Sequence, residues 1–153
     1  MKKIIILILF INTFLIYSQA FEEVAKQIGL GDHVAIDTRE MSGGVVVFDF
    51  NNDGWEDIFV VGGLNNYSAL FQNMKDGTFM NVYQSSGIKI PIHEQTVGAA
   101  AADLDNDGDE DLIVTTNERA NTYVFENKDG KFRNVAQIAG IEGHLWNTAV
   151  SFI

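Results

Sequence analysis

Two nine-residue windows hold nearly half of the acidic side chains in this 153-residue sequence. They cover residues 49–57 and 103–111 and contain ten of the 21 aspartates and glutamates. Both fit the pattern Asp-x-[Asp/Asn]-x-Asp-Gly-x-x-Asp, in which oxygen atoms at positions 1, 3 and 5 of a tight loop converge on one point. A merely solvated acidic surface would distribute its charges more evenly, so the spacing indicates a cation site in each window.

The candidate ligands occupy the same positions in both windows. The glycine at position 6 permits a sharp turn, position 7 offers a backbone carbonyl, and position 9 offers a carboxylate. The predicted metal ligands are Asp49, Asn51, Asp53, Trp55 and Asp57 in the first window and Asp103, Asp105, Asp107, Asp109 and Asp111 in the second. Among these, Trp55 and Asp109 are expected to contribute through their backbone carbonyls.

The donor set predicts which metal the windows hold. Six or seven oxygens without nitrogen or sulfur favour Ca²⁺ over zinc or copper, and a flexible loop disfavours the stricter octahedron of Mg²⁺. Two unit charges 4 Å apart repel each other by about 4 kcal/mol at an effective dielectric of 20, so clustered carboxylates need a cation. An EF-hand requires a glutamate at position 12, where this sequence has Val60 and Val114. We therefore predict calcium loops between strands; the alternative is a pair of solvated acidic turns.

Each window belongs to a longer repeat. Residues 48–60 return 54 positions later as residues 102–114. A second element, Phe-x-Asn followed by Asp-Gly and Phe, follows each window, and a third element, Phe-x-x-Val, begins at Phe21, Phe79 and Phe132. Internal repetition at this period is typical of stacked β-sheet units.

Short apolar or alternating runs bounded by Gly, Asn and Asp predict the strands of these units. The first repeat predicts strands over 45–50, 58–61, 69–71 and 79–82. Four short strands per repeat are the content of a propeller blade. The predicted fold class is all-β, with β-propeller blades of four-stranded antiparallel sheet. About two and a half blades are expected, which leaves the propeller incomplete and the chain truncated at its C-terminus.

The N-terminal residues predict export. Two lysines precede an apolar run over residues 4–16, and small side chains lead up to Ala20. This is the pattern of a signal peptide. The apolar run of 13 residues is shorter than the about 20 that a membrane-spanning helix needs. The alternative is a membrane anchor that is retained. We predict a signal peptide over 1–20, a repeat domain over 21–153, and a secreted, periplasmic or cell-surface location without membrane insertion after cleavage.

Charge and cysteine content narrow the classes of partner. The net charge is −11, and the two leader lysines make the mature chain still more negative, so nucleic acid and anionic membranes are excluded as expected partners. The absence of cysteine excludes disulfides, so bound calcium is the expected source of extra stability.

The chain resembles FG-GAP or VCBS repeat proteins, the group that includes the integrin α-subunit propellers. The first acidic window and the following Val61-Gly62-Gly63 are similar to that family's calcium loop and its Gly-Ala-Pro segment. The second copy has Thr115-Thr116-Asn117 in that place, which points away from the integrins towards the bacterial and cartilage-acidic-protein-like branch. The resemblance implies a calcium-bearing propeller that is secreted or on the cell surface and serves in adhesion or in binding carbohydrate or protein.

Three functions are compatible with these features. The first is a calcium-stabilised adhesion or binding module whose partner is an extracellular carbohydrate or protein. The second is the non-catalytic propeller portion of a larger secreted enzyme, such as a polysaccharide lyase, and the third is a purely structural repeat. The sequence has no cysteine and no Gly-x-Ser-x-Gly motif, so we expect that it is not an enzyme and has no catalytic residues.

Overall fold

A computed structural model describes four stretches of the chain, residues 21–31, 43–62, 68–117 and 121–141. The leader predicted over residues 1–20 lies outside the described residues, as does the start of a third repeat at 148–153.

Two four-stranded antiparallel sheets make up the described structure, each with its strands in chain order. The first sheet consists of β1 (Gly44–Phe48), β2 (Asp57–Val61), β3 (Ala69–Asn73) and β4 (Phe79–Asn81). The second sheet consists of β5 (Thr96–Ala102), β6 (Asp111–Thr116), β7 (Tyr123–Lys128) and β8 (Lys131–Asn134). A single helical turn, α1 (Tyr83–Ser86), lies between them. The predicted all-β class with four-stranded blades is confirmed, and the two sheets are two blades of an open, incomplete propeller.

The strands follow the alternation of side chains along the chain. In β2, Asp57, Phe59 and Val61 are buried, whereas Ile58 and Val60 are only partly covered. A period of two is what a pleated strand imposes on its faces. β1 ends at Phe48, two residues earlier than predicted, because the Asp49 side chain already accepts backbone N–H groups of the following loop.

The two blades share one hydrophobic core. Phe48 and Phe50 of the first blade pack against Phe132 of the second, with ring centroids 6.1 to 6.4 Å apart. Further core side chains come from both sheets, among them Phe59, Leu70, Leu112, Val114 and Phe125. The blades are therefore held face to face by apolar burial, with β1 next to β5.

A tight turn packs against the fourth strand of each blade. Gly87 ends α1 with a φ of 93°, and a Cβ there would lie 2.4 Å from the Phe132 carbonyl oxygen, so only glycine fits. The same contact joins Gly29 to Phe79. Residues 24–28 form one turn, in which the Ile28 N–H donates to the Val24 carbonyl at 3.1 Å.

Turns that contain the Asp-Gly pair of the repeated element connect the last two strands of each blade. In the second blade, Asp129 and Gly130 have φ values of 50° and 75°, which is the conformation of a type I′ hairpin turn. No helix in the described ranges has the length and apolarity to cross a membrane.

Candidate metal centre

The two acidic windows form equivalent loops between the first and second strands of each blade. Loop 1 (residues 49–56) joins β1 to β2, and loop 2 (residues 103–110) joins β5 to β6. Phe48 pairs with Asp57 at the base of loop 1, and Ala102 pairs with Asp111 at the base of loop 2. The carboxylate at position 9 is therefore the first residue of a strand and has a fixed backbone.

The aspartate at position 1 folds each loop around its own side chain. Asp49 accepts the N–H groups of Asp53 at 3.0 Å and Gly54 at 2.7 Å. Asp103 accepts the N–H groups of Asp107 at 3.2 Å and Gly108 at 3.1 Å. The glycine at position 6 has a positive φ in both loops, 83° and 97°, which confirms the sharp turn expected there.

Positions 3 and 5 repeat the same arrangement. The side-chain oxygen of Asn51 accepts the Asp53 N–H, and that of Asp105 accepts the Asp107 N–H. Asp53 in turn accepts the Trp55 N–H, and Asp107 accepts the Asp109 N–H, both at 3.0 Å. Two loops that differ in sequence thus adopt one hydrogen-bonding pattern at positions 1, 3 and 5.

Asp57 carries an unpartnered oxygen at the base of loop 1. Its Oδ1 accepts the Asn73 N–H at 2.7 Å, whereas its Oδ2 is buried without a hydrogen-bond partner. Burial raises the pKa of Asp57 to about 6, and the charges of Asp53 and Asp49 act in the same direction, although the backbone N–H groups of Asn73 and Phe50 act to lower the pKa. A buried, repelled carboxylate oxygen is costly unless a cation compensates it.

Asp111 occupies the same place in loop 2. It accepts the N–H groups of Asn127 at 2.8 Å and Leu104 at 2.9 Å. Burial raises the pKa of Asp111, and the charges of Asp105 and Asp107 add to that effect. Both position-9 aspartates therefore sit where a positive charge would stabilise them.

The structure brings the carboxylate oxygens of Asp103, Asp105 and Asp111 within 4.8 Å of one another. This group could hold a metal ion. Asp107 is outside the group, and its side chain is engaged by the Asp109 N–H.

In loop 1 the position-5 carboxylate has a cationic neighbour instead. Lys75 Nζ lies 3.3 Å from Asp53 Oδ2. Trp55, at position 7, has an exposed side chain, and the Asp109 carboxylate at the same position of loop 2 binds Asn52 and the Asp129 N–H. For both residues the backbone carbonyl, rather than the side chain, stays the predicted ligand.

The residues fit a hard cation such as Ca²⁺. The predicted ligands at positions 1, 3, 5 and 9 present only carboxylate and amide oxygens, and the orphaned Asp57 Oδ2 is a buried acceptor that a cation would satisfy. A bound ion would compensate the charges of the carboxylates at positions 1 and 9 while the loops stay closed. These carboxylates belong to Asp49, Asp57, Asp103 and Asp111.

Sequence reasoning missed a set of residues that hold the loops in place. Asn73 and Asn127 are the asparagines of the repeated Phe-x-Asn element, and each donates its N–H to a position-9 aspartate. Their side-chain amides also donate to backbone carbonyls of the loops, Asn73 to Glu56 and Asn127 to Glu110. The recurrence of this asparagine 54 positions apart is visible in the sequence. Its hydrogen-bond partners are not, because they lie 16 and 17 residues away in the chain.

Comparison with known families agrees with this geometry. The sequence matches the family described as FG-GAP-like repeat over residues 49–114 and again over residues 103–153. Each match begins at the first aspartate of an acidic loop. The resemblance inferred from the loops is thereby confirmed.

A curated relative matches over a longer stretch. The chain is 30% identical over 116 residues to cartilage acidic protein 1 of Xenopus tropicalis. The aligned region covers 74% of this chain but 17% of the relative, so the chain spans about a sixth of the relative's length. This likeness agrees with the expected cartilage-acidic-protein-like branch.

Proposed function

This chain belongs to the FG-GAP-like repeat family, and from that premise we propose that it is a calcium-binding repeat module of an exported protein. Its role is adhesion or the binding of carbohydrate or protein rather than catalysis. Export is supported by the leader pattern of residues 1–20, and the location is secreted, periplasmic or on the cell surface. The net charge of −11 favours neither nucleic acid nor anionic membrane as a partner.

One observation carries the calcium assignment. Asp57 is fully buried, its Oδ2 has no hydrogen-bond partner, and the charges of Asp49 and Asp53 face it. No lysine or arginine pairs with Asp57 among the described residues. A divalent cation bound by these oxygens removes the repulsion and supplies the missing partner, and it does so only in the folded chain. Calcium therefore stabilises the fold by mass action.

The test is a thermal unfolding series in EDTA, Ca²⁺ and Mg²⁺. At a Ca²⁺ concentration a hundredfold above the dissociation constant, one site adds about 2.7 kcal/mol of stability. For a chain of this size each kcal/mol raises the melting temperature by roughly 2–4 °C, so a rise of several degrees is expected. Mg²⁺ should give a smaller rise because its octahedral preference suits these loops poorly.

Asp57→Asn separates the metal from the fold. In EDTA this variant should melt at or above the temperature of the unchanged protein, because the substitution removes a buried, repelled charge. In Ca²⁺ it should keep only the gain due to loop 2. Asp76→Asn is the matched control, since it makes the same substitution at an exposed hairpin aspartate and should keep the full calcium gain. A calcium response equal in Asp57→Asn and the unchanged protein would refute the site.

A further inference from the structure

The two acidic loops contact each other across the blade interface. Asn52, at position 4 of loop 1, donates from Nδ2 to the Gly108 carbonyl of loop 2 at 3.3 Å and to Asp109 Oδ1. The Asp49 N–H donates to Glu110 Oε2 at 3.2 Å. Loop 1 is thus joined to positions 6, 7 and 8 of loop 2 by side chains that the predicted ligand set leaves free.

Asn127 adds a buried connection. Its N–H donates to Asp111 Oδ1 at 2.8 Å, while its Nδ2 donates to the Phe50 carbonyl of loop 1 at 2.7 Å and to the Glu110 carbonyl at 3.0 Å. Its Oδ1 is buried without a partner. Reversing the amide would place that oxygen against two carbonyls, so the observed orientation is fixed, and one side chain ties a predicted ligand of loop 2 to the backbone of loop 1.

The equivalent residues elsewhere make no such connection. Asn73, which matches Asn127, donates from Nδ2 to Glu56 of its own blade, and its Oδ1 accepts the nearby Lys75 N–H. Asn106, which matches Asn52, has the same positive φ, 62° against 54°, and no hydrogen bond to another blade within the described stretches. Asn73 and Asn106 are therefore matched positions that make no inter-blade hydrogen bond among the described residues.

We propose that the two loops bind their cations with positive cooperativity, and that Asn52, Glu110 and Asn127 are the positioning residues that transmit it. The inference rests on the proposed function, because it needs a cation site in each loop. By linkage, filling either loop raises the affinity of the other by the same factor.

The coupling arises from the order that each loop imposes on the other. Without a cation the carboxylates of Asp103, Asp105 and Asp111 repel one another, and an opened loop 2 would withdraw Asp109 and Glu110 from loop 1. A closed loop 2 instead holds Asn52 and the Asp49 N–H in the conformation that turns the ligand oxygens of loop 1 inwards. Direct repulsion between two bound ions acts in the opposite direction, but salt screens it over about 8 Å at physiological ionic strength.

Trp55 makes the affinity of loop 1 measurable on its own. It lies in loop 1, whereas loop 2 has Asp109 at the same position. Tb³⁺, a hard trivalent analogue of Ca²⁺, emits when a neighbouring tryptophan is excited. The titration uses the full chain with Trp146→Phe and excitation at a wavelength that tryptophan but not tyrosine absorbs, so that Trp55 is the single tryptophan donor. Loss of the signal in Asp53→Ala identifies the component that belongs to loop 1.

Asp105→Ala then disables loop 2 with little disturbance, because the Asp107 N–H keeps its second acceptor on Asp103. We expect the Tb³⁺ affinity of loop 1 to fall roughly fivefold or more in this variant, the lower end of typical coupling between sites. Competition by Ca²⁺ should show the same change.

A double-mutant cycle assigns the coupling to Asn52. Asn52→Gly deletes the bridging side chain and retains the positive φ, and Asn106→Gly is the matched control in loop 2. Asp105→Ala lowers the loop 1 affinity by a certain factor in the unchanged chain. In the Asn52→Gly background this factor should be smaller, by about twofold or more. The Asn106→Gly background should leave that factor intact, and circular dichroism confirms that each variant is folded.

Three results would overturn the inference. The first is a loop 1 affinity that is the same with and without Asp105, which means that the loops are independent. The second is a loop 1 affinity that rises in Asp105→Ala, which means that repulsion dominates. The third is a loss of coupling in Asn106→Gly as large as in Asn52→Gly, which removes the bridging role. In all three cases loop 1 still binds Tb³⁺ and the proposed function stands, whereas absence of any Trp55-sensitised emission rejects both.

Discussion

At the scale of single residues, the cation affinity proposed for loop 1 should depend on a charge that lies outside its nine-residue window. Lys75 is 22 residues beyond Asp53 in the chain, yet its Nζ lies 3.3 Å from Asp53 Oδ2 and 3.4 Å from the Asp53 carbonyl oxygen. An ammonium group at that distance competes with a cation for the same carboxylate. The ion pair is partly exposed, so its contribution to the stability of the fold is small.

Lys75→Met should therefore strengthen calcium binding by loop 1. We expect the dissociation constant of that loop to fall by a few fold, because the variant removes a positive charge that a bound cation must displace or tolerate, while the methionine preserves the length of the side chain. Tb³⁺ or Ca²⁺ titration with Trp55 emission measures it.

Lys128→Met serves as the control for this substitution. Lys128 follows Asn127 in the second blade, is exposed, and has no ion pair in the described part of the chain. It alters the net charge by the same amount without touching Asp53. An equal gain in both variants would show that only the overall charge matters.

Residue types alone predicted the converging oxygens but not their neighbours. The spacing of Asp49, Asn51 and Asp53 predicts converging side chains because the loop that connects them is short. The approach of Lys75 or of Asn52 to a partner depends on hairpins and blade contacts, which no local pattern in the sequence encodes.

At the scale of elements, each loop is a closed connection between two paired strands. β1 pairs with β2 from Gly44 opposite Val61 to Phe48 opposite Asp57, so the ladder ends at the position-9 aspartate. Pairing of β5 with β6 ends in the same way at Asp111. A strand ladder thus fixes the backbone of one predicted ligand, and the position-1 aspartate holds the loop closed through its hydrogen bonds.

Loop 2 should bind calcium more tightly than loop 1. It has four aspartates at ligand positions, whereas Asn51 leaves loop 1 with one charge fewer. Lys75 reduces the negative charge near loop 1 further. Affinities in the range of extracellular modules, about 10⁻⁴ to 10⁻³ M, are expected.

Calorimetry on Asp53→Ala and Asp107→Ala, taken separately, decides the order of the two sites. Asp107→Ala should remove the tighter of two binding steps and Asp53→Ala the weaker. A larger loss of calcium affinity from Asp53→Ala would reverse the assignment.

At the scale of the whole molecule, both blades have the same groove, and the second blade covers the groove of the first. In the first blade, the groove beside Phe50 and Ser86 takes the hairpin of residues 129–131 from the second blade, and Lys131 Nζ donates to the Ser85 carbonyl at 2.9 Å. The equivalent groove on the second blade is lined by Leu104, Val124, Val135, Ile138 and Ile141. Ile138 and Ile141 are 79% and 41% exposed, while Ile88, the repeat counterpart of Ile141, is 3% exposed.

This difference predicts unequal costs for one substitution at two matched positions. Ile88→Ala should lower the free energy of unfolding by about 2–5 kcal/mol, because it opens a cavity in the core shared by both blades. Ile141→Ala should cost less than about 1 kcal/mol, since its side chain is already in contact with solvent. Urea unfolding of the two variants in saturating calcium provides the measurement, and equal losses would mean that the groove beside Ile141 is covered in solution.

The sequence by itself determined the repeat, the four-stranded composition of each blade and the ten predicted ligands, because these depend on local periodicity and on the geometry of a short loop. The hairpin turns at Asp76-Gly77 and Asp129-Gly130 were also predictable, since glycine supplies the positive φ that such turns require.

Tertiary structure alone decided how the two loops are connected. Asn127 reaches Phe50 across 77 residues of chain, and Asn52 reaches Asp109 across 57. These contacts form because Phe48, Phe50 and Phe132 bring the blades together. Burial of apolar surface is non-directional, so the sequence indicates that the blades associate, whereas the packing of particular side chains sets which polar groups meet.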